Sequence, residues 1–127
     1  MGVQFNHTIV WSRDPKAGAA FVAELLGLPA PRTFMHFQVV DLDNGASLDF
    51  MRHEGNITLQ HYAFLVGEAD FDAIFGRIKT RDLNHWADPA RTLPGQINHH
   101  FGGRGVYFTD LDGHLLEIIT QPYGANP

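Results

Sequence analysis

The sequence predicts an α+β fold in which one strand–helix–strands unit is used twice. Three observations predict it. The stretch VVDLDNGASLDF, residues 39–50, resembles YFTDLDGHLLEI, residues 107–118, with one residue of slack. Upstream of each lies a similar strand-like segment, NHTIVWS at 6–12 and QHYAFLV at 60–66, and each leads into a helical pattern. Each later stretch also ends on a carboxylate, Asp49 or Glu117, between apolar neighbours. Such self-similarity marks a repeated supersecondary unit.

The elements follow in order. VQFNHTIVWS carries β-branched and aromatic residues with alternation and reads as a strand. SRDPKAGAAFVAELLGL reads as a helix, with Ser12 or Asp14 as cap, Pro15 early and Gly27 as stop; Phe21, Leu25 and Leu28 form its apolar face. TFMHFQVVDL is read as one strand, and Asp43–Gly45 turns the chain into a return strand, ASLDFMRH. The second unit opens with ITLQHYAFLVG as a strand. EADFDAIFGRIKTRDL is helical, with Phe71, Ile74, Phe75 and Ile78 at spacings of three and four. NHWADPARTLPGQINHHFGG is irregular and reads as a long functional loop with a short strand at its start. RGVYFTDL and HLLEIITQ close as a hairpin around Asp112–Gly113, and PYGANP is a tail. The expectation is a single domain over residues 1–127, with module 1 at about 4–53 and module 2 at about 57–121.

Composition narrows the function. Of 127 residues, 44% are hydrophobic and 18% charged, as in ordinary globular domains. A net charge of -5 argues against a nucleic-acid partner. No apolar run approaches the roughly 18 residues of a membrane helix, and no signal peptide is expected at the start. The chain has no cysteine, which fits a cytoplasmic location and leaves His, Asp and Glu as the ligands for any transition metal. Eight histidines are many for this length and hint at metal or acid–base chemistry.

A charge at Glu117 costs several kcal/mol or more unless it is paired, hydrogen-bonded or bound to a cation. Its face holds Leu115 and Ile119; His7 lies with Phe5, Ile9 and Trp11, His61 with Leu59, Ala63 and Leu65, and Asp49 with Ser47 and Met51. Taken singly, a strand histidine is ordinarily a hydrogen-bonded core or rim residue, and Asp49 near its turn a solvent-facing one. The four equivalent placements in the repeat point instead to a shared polar site, reached if the units pack with pseudo-twofold symmetry. Two imidazoles with one or two carboxylates suit Fe(II), Mn, Ni, Co or Zn. His7, His61 and Glu117 alone would leave open positions on the metal; Asp49 would leave fewer.

On NHTIV…FVAELLGLP, QHYAFLV and GVYFTDLDGHLLEI, the chain resembles the vicinal oxygen chelate superfamily, the glyoxalase, bleomycin-resistance and extradiol dioxygenase group. The resemblance runs from about Phe5 to Thr120. It implies two βαβββ modules whose mixed sheets curl into a half-open cavity around a divalent metal, with ligands at His7, Asp49, His61 and Glu117. Glyoxalases usually place Glu where this chain has Asp49, and dioxygenases use only the other three. It also implies a homodimer and a small-molecule substrate chelating through adjacent oxygens.

The expected activity is therefore that of a metal-dependent lyase or isomerase, or of an extradiol-type dioxygenase. Glu117 or Asp49 would move a proton in the first case, and His99, His100 or Tyr107 would serve as acid–base group in the second. Two alternatives stand beside it. One is a fosfomycin-type thiol transferase, for which Arg104 is the obvious basic candidate. The other is a metal-free antibiotic-binding protein.

Overall fold

The computed structural model describes residues 2–124. The chain divides into two compact units between Thr58 and Leu59. The first holds β1 (His7–Ser12), α1 (Pro15–Leu26), β2 (Arg32–Phe34), β3 (Phe37–Asp41) and β4 (Ser47–Arg52). The second holds β5 (His61–Leu65), α2 (Glu68–Thr80), β6 (His85–Trp86), β7 (Gly105–Thr109) and β8 (Leu115–Ile119). Each forms a four-stranded mixed sheet, ordered β1-β4-β3-β2 and β5-β8-β7-β6. In each, the first and last strands run parallel and the remaining pairs antiparallel. The repeat read in the sequence is thus a βαβββ-like module used twice.

Local chemistry accounts for the elements. Asp14, not Ser12, caps α1, its Oδ1 accepting the Ala17 N–H at 3.2 Å. Gly27 ends α1 at φ 71°, and the Leu28 N–H returns to the Ala23 carbonyl at 2.8 Å. The buried face of α1 is Ala19, Val22, Ala23 and Leu25, while the expected Phe21 and Leu28 are half-buried. On α2, Phe71, Ile74 and Ile78 are buried and Phe75 sits at the rim, edge-on to His85.

Two expectations need correction. Residues 33–42 are not one strand: the chain reverses at Met35, φ 54°, and Phe34 pairs with Phe37. No Gly or Asn marks that turn, so nothing in the local composition announces it. The opening strands are also shorter than their patterns, starting at His7 and His61. They begin where β4 and β8 first offer ladder partners, with His7 opposite Ser47 and His61 opposite Leu115.

The second core consists of Phe71, Ile74 and Ile78 with Val106, Phe108, Leu116 and Ile118. Alternation then turns Tyr107, Glu117 and His61 to the opposite face of the sheet. The β7–β8 hairpin that carries two of these is held by Asp110, whose buried Oδ1 accepts the N–H groups of Asp112 (3.0 Å) and His114 (2.9 Å). His114 is itself fully buried, edge-on to Tyr62, with Nδ1 accepting the Gln60 N–H at 3.0 Å. No helix among the described residues is long and apolar enough to cross a membrane.

Removing the Asp110 acceptor orphans two N–H groups in a buried turn. Asp110→Ala is expected to cost about 1–3 kcal/mol in urea denaturation. Asp110→Asn, which keeps an acceptor oxygen, should recover most of that loss. Equal stability of all three proteins would contradict the assignment.

Candidate active site

Glu117 and His61 meet on the face of the second sheet opposite its core. β5 and β8 are paired in parallel with Ala63 opposite Glu117 and His61 opposite Leu115. Residues two apart on paired strands share a face, so the two side chains lean towards one another. His61 Nε2 lies 3.1 Å from Glu117 Oε1. Glu117 is 1% exposed, while the His61 side chain is 44% exposed. The carboxylate is therefore almost wholly shielded, and its imidazole partner opens to solvent.

The imidazole's other nitrogen decides what the pair can do. His61 Nδ1 lies 3.0 Å from the Leu115 carbonyl oxygen. A carbonyl only accepts, so Nδ1 carries the proton. In the neutral ring Nε2 is then a bare lone pair aimed at a carboxylate oxygen, two acceptors face to face. A cation must join them: a second proton, giving imidazolium, or a metal ion. A histidine whose distal N–H is held by a backbone carbonyl is the usual arrangement of a metal-ligating imidazole.

Two phenols complete the surroundings of Glu117. The Tyr123 hydroxyl donates to Glu117 Oε1 at 2.6 Å. The Tyr107 hydroxyl lies 3.3 Å from the Tyr123 oxygen; since Tyr123 spends its proton on Glu117, Tyr107 is the donor of that pair. Tyr107 also stacks on His61, ring centroids 5.9 Å apart. Both phenols are pushed above their ordinary range. Burial is the first cause in each; hydrogen bonding to Tyr123 adds to it for Tyr107, and hydrogen bonding to Glu117 for Tyr123. They remain protonated donors at neutral pH.

The residues expected from the sequence thus divide. His61, Glu117 and Tyr107 are brought together. In the first module, Ile9 pairs with Asp49 as Ala63 pairs with Glu117, so His7 and Asp49 hold the equivalent register. Their side chains take local partners: His7 Nδ1 lies 2.6 Å from Asn6 Oδ1, and Asp49 Oδ1 accepts from Ser47 Oγ at 2.7 Å. Among the described residues no group of three or more potential metal-binding side chains is assembled. His100 lies in an exposed 3-10 turn, His100–Gly102, against Phe101, with His99 just before it. Tyr123 was not anticipated, because PYGANP carries no periodicity and reads as a tail. The only hint there is an aromatic residue six positions beyond Glu117.

Arg104 is committed elsewhere. Its guanidinium donates to Glu68 Oε1 and Asp72 Oδ1, each at 2.8 Å, and lies 4.4 Å from the centre of the Phe71 ring. Both carboxylates are held below their usual range, Glu68 by hydrogen bonding first to the Thr120 hydroxyl and then to Arg104, Asp72 by hydrogen bonding to Arg104. An arginine engaged in this way with α2 is not free to meet an anionic substrate.

Comparison with known proteins adds to this geometry. Residues 4–118 match the family described as the Glyoxalase/Bleomycin resistance protein/Dioxygenase superfamily. The fold superposes on the solved structure of Oxidase ChaP-H1 with a TM-score of 0.96 at 57% identity, covering 98% of this chain and 100% of that one. For Oxidase ChaP-H2 the TM-score is 0.97 at 54% identity, with both chains fully covered. Metallothiol transferase FosB of Shouchella clausii (strain KSM-K16) is 38% identical over 73 residues, which is 57% of this chain. The match spans 45% of the length of that curated relative.

The metal-free pair can be tested by its stability. His61→Ala leaves a shielded carboxylate with one donor fewer and is expected to cost about 1–3 kcal/mol in chelator-treated protein. Glu117→Leu removes the charge as well as its need for partners and should be neutral or stabilising. A loss in Glu117→Leu as large as that in His61→Ala would make the carboxylate a structural anchor rather than a functional group.

Proposed function

The chain belongs to the Glyoxalase/Bleomycin resistance protein/Dioxygenase superfamily, and we propose that within it the protein is a divalent-metal-dependent oxidase acting on a small substrate with two adjacent oxygens. The observation that carries this reading is the facing pair of His61 Nε2 and Glu117 Oε1, which needs a cation between its two lone pairs. The donor set fits one. An imidazole nitrogen and a carboxylate oxygen are both ordinary ligands of such an ion, and here they face one another. The observed separation is 3.1 Å. A neutral imidazole and a carboxylate suit iron, manganese, cobalt, nickel or zinc.

His61 and Glu117 would hold the metal. His7 and Asp49 enter the proposal as further ligands because they occupy in the first module the register that His61 and Glu117 occupy in the second. Bound there, a divalent metal would supply a Lewis acid for the substrate's neighbouring oxygens. The chain's own contribution is to hold the Nδ1 proton of His61 against Leu115, to orient Glu117 by the Tyr123 hydroxyl, and to present a half-exposed imidazole edge to an incoming molecule. Tyr107, a protonated phenol stacked on His61, and His100, on the exposed turn, are the candidate acid–base groups. The curled, half-open cavity and the homodimer expected from the resemblance belong to this proposal as well.

An oxidase is favoured over a glyoxalase-type isomerase by the names of the two relatives at 57% and 54% identity. The thiol-transferase reading draws on the FosB similarity, but Arg104, its basic candidate, is taken up by Glu68 and Asp72.

The test is elemental analysis of purified untagged protein beside His7→Ala, His61→Ala and Glu117→Ala. Near-stoichiometric divalent metal is expected in the wild type and should be lost in the His61 and Glu117 variants. Iron would favour the oxidase. If the wild type takes up no metal even after reconstitution with Fe(II), Mn, Co, Ni and Zn, the proposal fails and the metal-free binding protein becomes the better reading.

A further inference from the structure

The segment after β8 is built into the site rather than trailing from it. Thr120 is clamped by Arg104: its N–H donates to the Arg104 carbonyl at 2.9 Å, and its Oγ1 accepts the Arg104 N–H at 2.8 Å. Gly103 passes so close that a Cβ there would lie 2.5 Å from Thr120 Oγ1 and 2.7 Å from Gln121 Cγ. A side chain at position 103 would displace the root of the segment. Phe101, held at φ 57° in the left-handed region, sets its ring 5.9 Å from that of Tyr123. Such a conformation is uncommon for a bulky residue and persists only where the surroundings fix it.

These contacts converge on one atom. Tyr123 is 61% exposed, yet its hydroxyl reaches the 1%-exposed Glu117 and donates to Oε1, the same oxygen that faces His61 Nε2. A carboxylate oxygen has two lone pairs. With one held by the phenol, the other is left for the cation that His61 also faces. The hydroxyl of Tyr107 in turn supports the Tyr123 oxygen.

We propose that Tyr123 is a positioning residue of the His61–Glu117 pair, its phenol orienting Glu117 Oε1 for a divalent cation. This rests on the metal-dependent reading above and adds a residue to it. Tyr123 acts through Glu117 and touches no reacting atom. Hydrogen bonds to ligating groups of this kind are typically worth about 10–100-fold in metal affinity.

The test is titration of metal-free protein with Co(II), followed both by the visible bands of the bound metal and by the near-ultraviolet absorption of tyrosine. Wild type, Tyr123→Phe and Phe101→Ala are compared. Tyr123→Phe takes a donor from the shielded Glu117 and is expected to lower the melting temperature of the metal-free protein, so Co(II) affinities are compared at a temperature where melting shows all three proteins folded. Tyr123→Phe is expected to bind Co(II) about tenfold more weakly, with altered visible bands and without part of the tyrosine difference signal. Phe101→Ala, which keeps the hydroxyl but loosens its seat, should fall between the two. Wild-type affinity and bands in Tyr123→Phe would overturn the role of Tyr123 and leave the metal reading standing. No Co(II) binding by wild type would overturn both.

Discussion

The organisation of the second module depends on an imidazole that cannot turn. Leu115 offers its carbonyl to His61 Nδ1, and that one hydrogen bond fixes both the tautomer and the direction of Nε2. Everything the site can do follows from what Nε2 then faces, a carboxylate shielded from water. Two acceptors held 3.1 Å apart form an arrangement that only a cation relieves. Replacing such a pair with hydrophobic side chains of similar volume is often neutral or favourable, so its presence in an otherwise apolar strand is better explained by chemistry than by stability.

The sheet supplies the precision. Leu115 holds His61 by its backbone and, in the same parallel ladder, stands two residues before Glu117. The distance from the fixing carbonyl to the facing carboxylate is therefore set by strand geometry rather than by loop packing. β7 adds Tyr107 directly opposite Glu117 in the antiparallel register. The loop and the segment beyond β8 are fastened to this frame by Arg104, Thr120 and the closely passing Gly103. Rigid elements thus carry the pair, while an irregular segment brings the phenol of Tyr123 to it.

Much of this was legible in the residues. The duplicated pattern leads to the two modules because a repeat in sequence that spans a strand, a helix and a hairpin can hardly fold in two different ways. Glu117 and His61 were legible because period-two alternation fixes which strand residues share a face, and a charge amid Leu115, Leu116, Ile118 and Ile119 demands a partner. The break at Met35 was not, since the turn uses a left-handed methionine that no composition rule favours. Nor was Tyr123, whose place depends on three tertiary contacts made by Phe101, Gly103 and Arg104. The local partners of His7 and Asp49, Asn6 and Ser47, likewise follow from side-chain choices that strand periodicity does not determine. Arg104 shows the converse: a basic residue near a glycine-rich bend suggests an anion site, but the carboxylates of Glu68 and Asp72 one helical turn apart claim it first.

The most direct measurement of the central claim is the nitrogen-15 chemical shift of the two His61 ring nitrogens, followed by NMR as metal-free protein is titrated with Zn(II). The account predicts a protonated Nδ1 throughout, with the large shift confined to Nε2 as zinc replaces the proton between it and Glu117. A neutral ring with its proton on Nε2 and a bare Nδ1, unchanged by zinc, would contradict it.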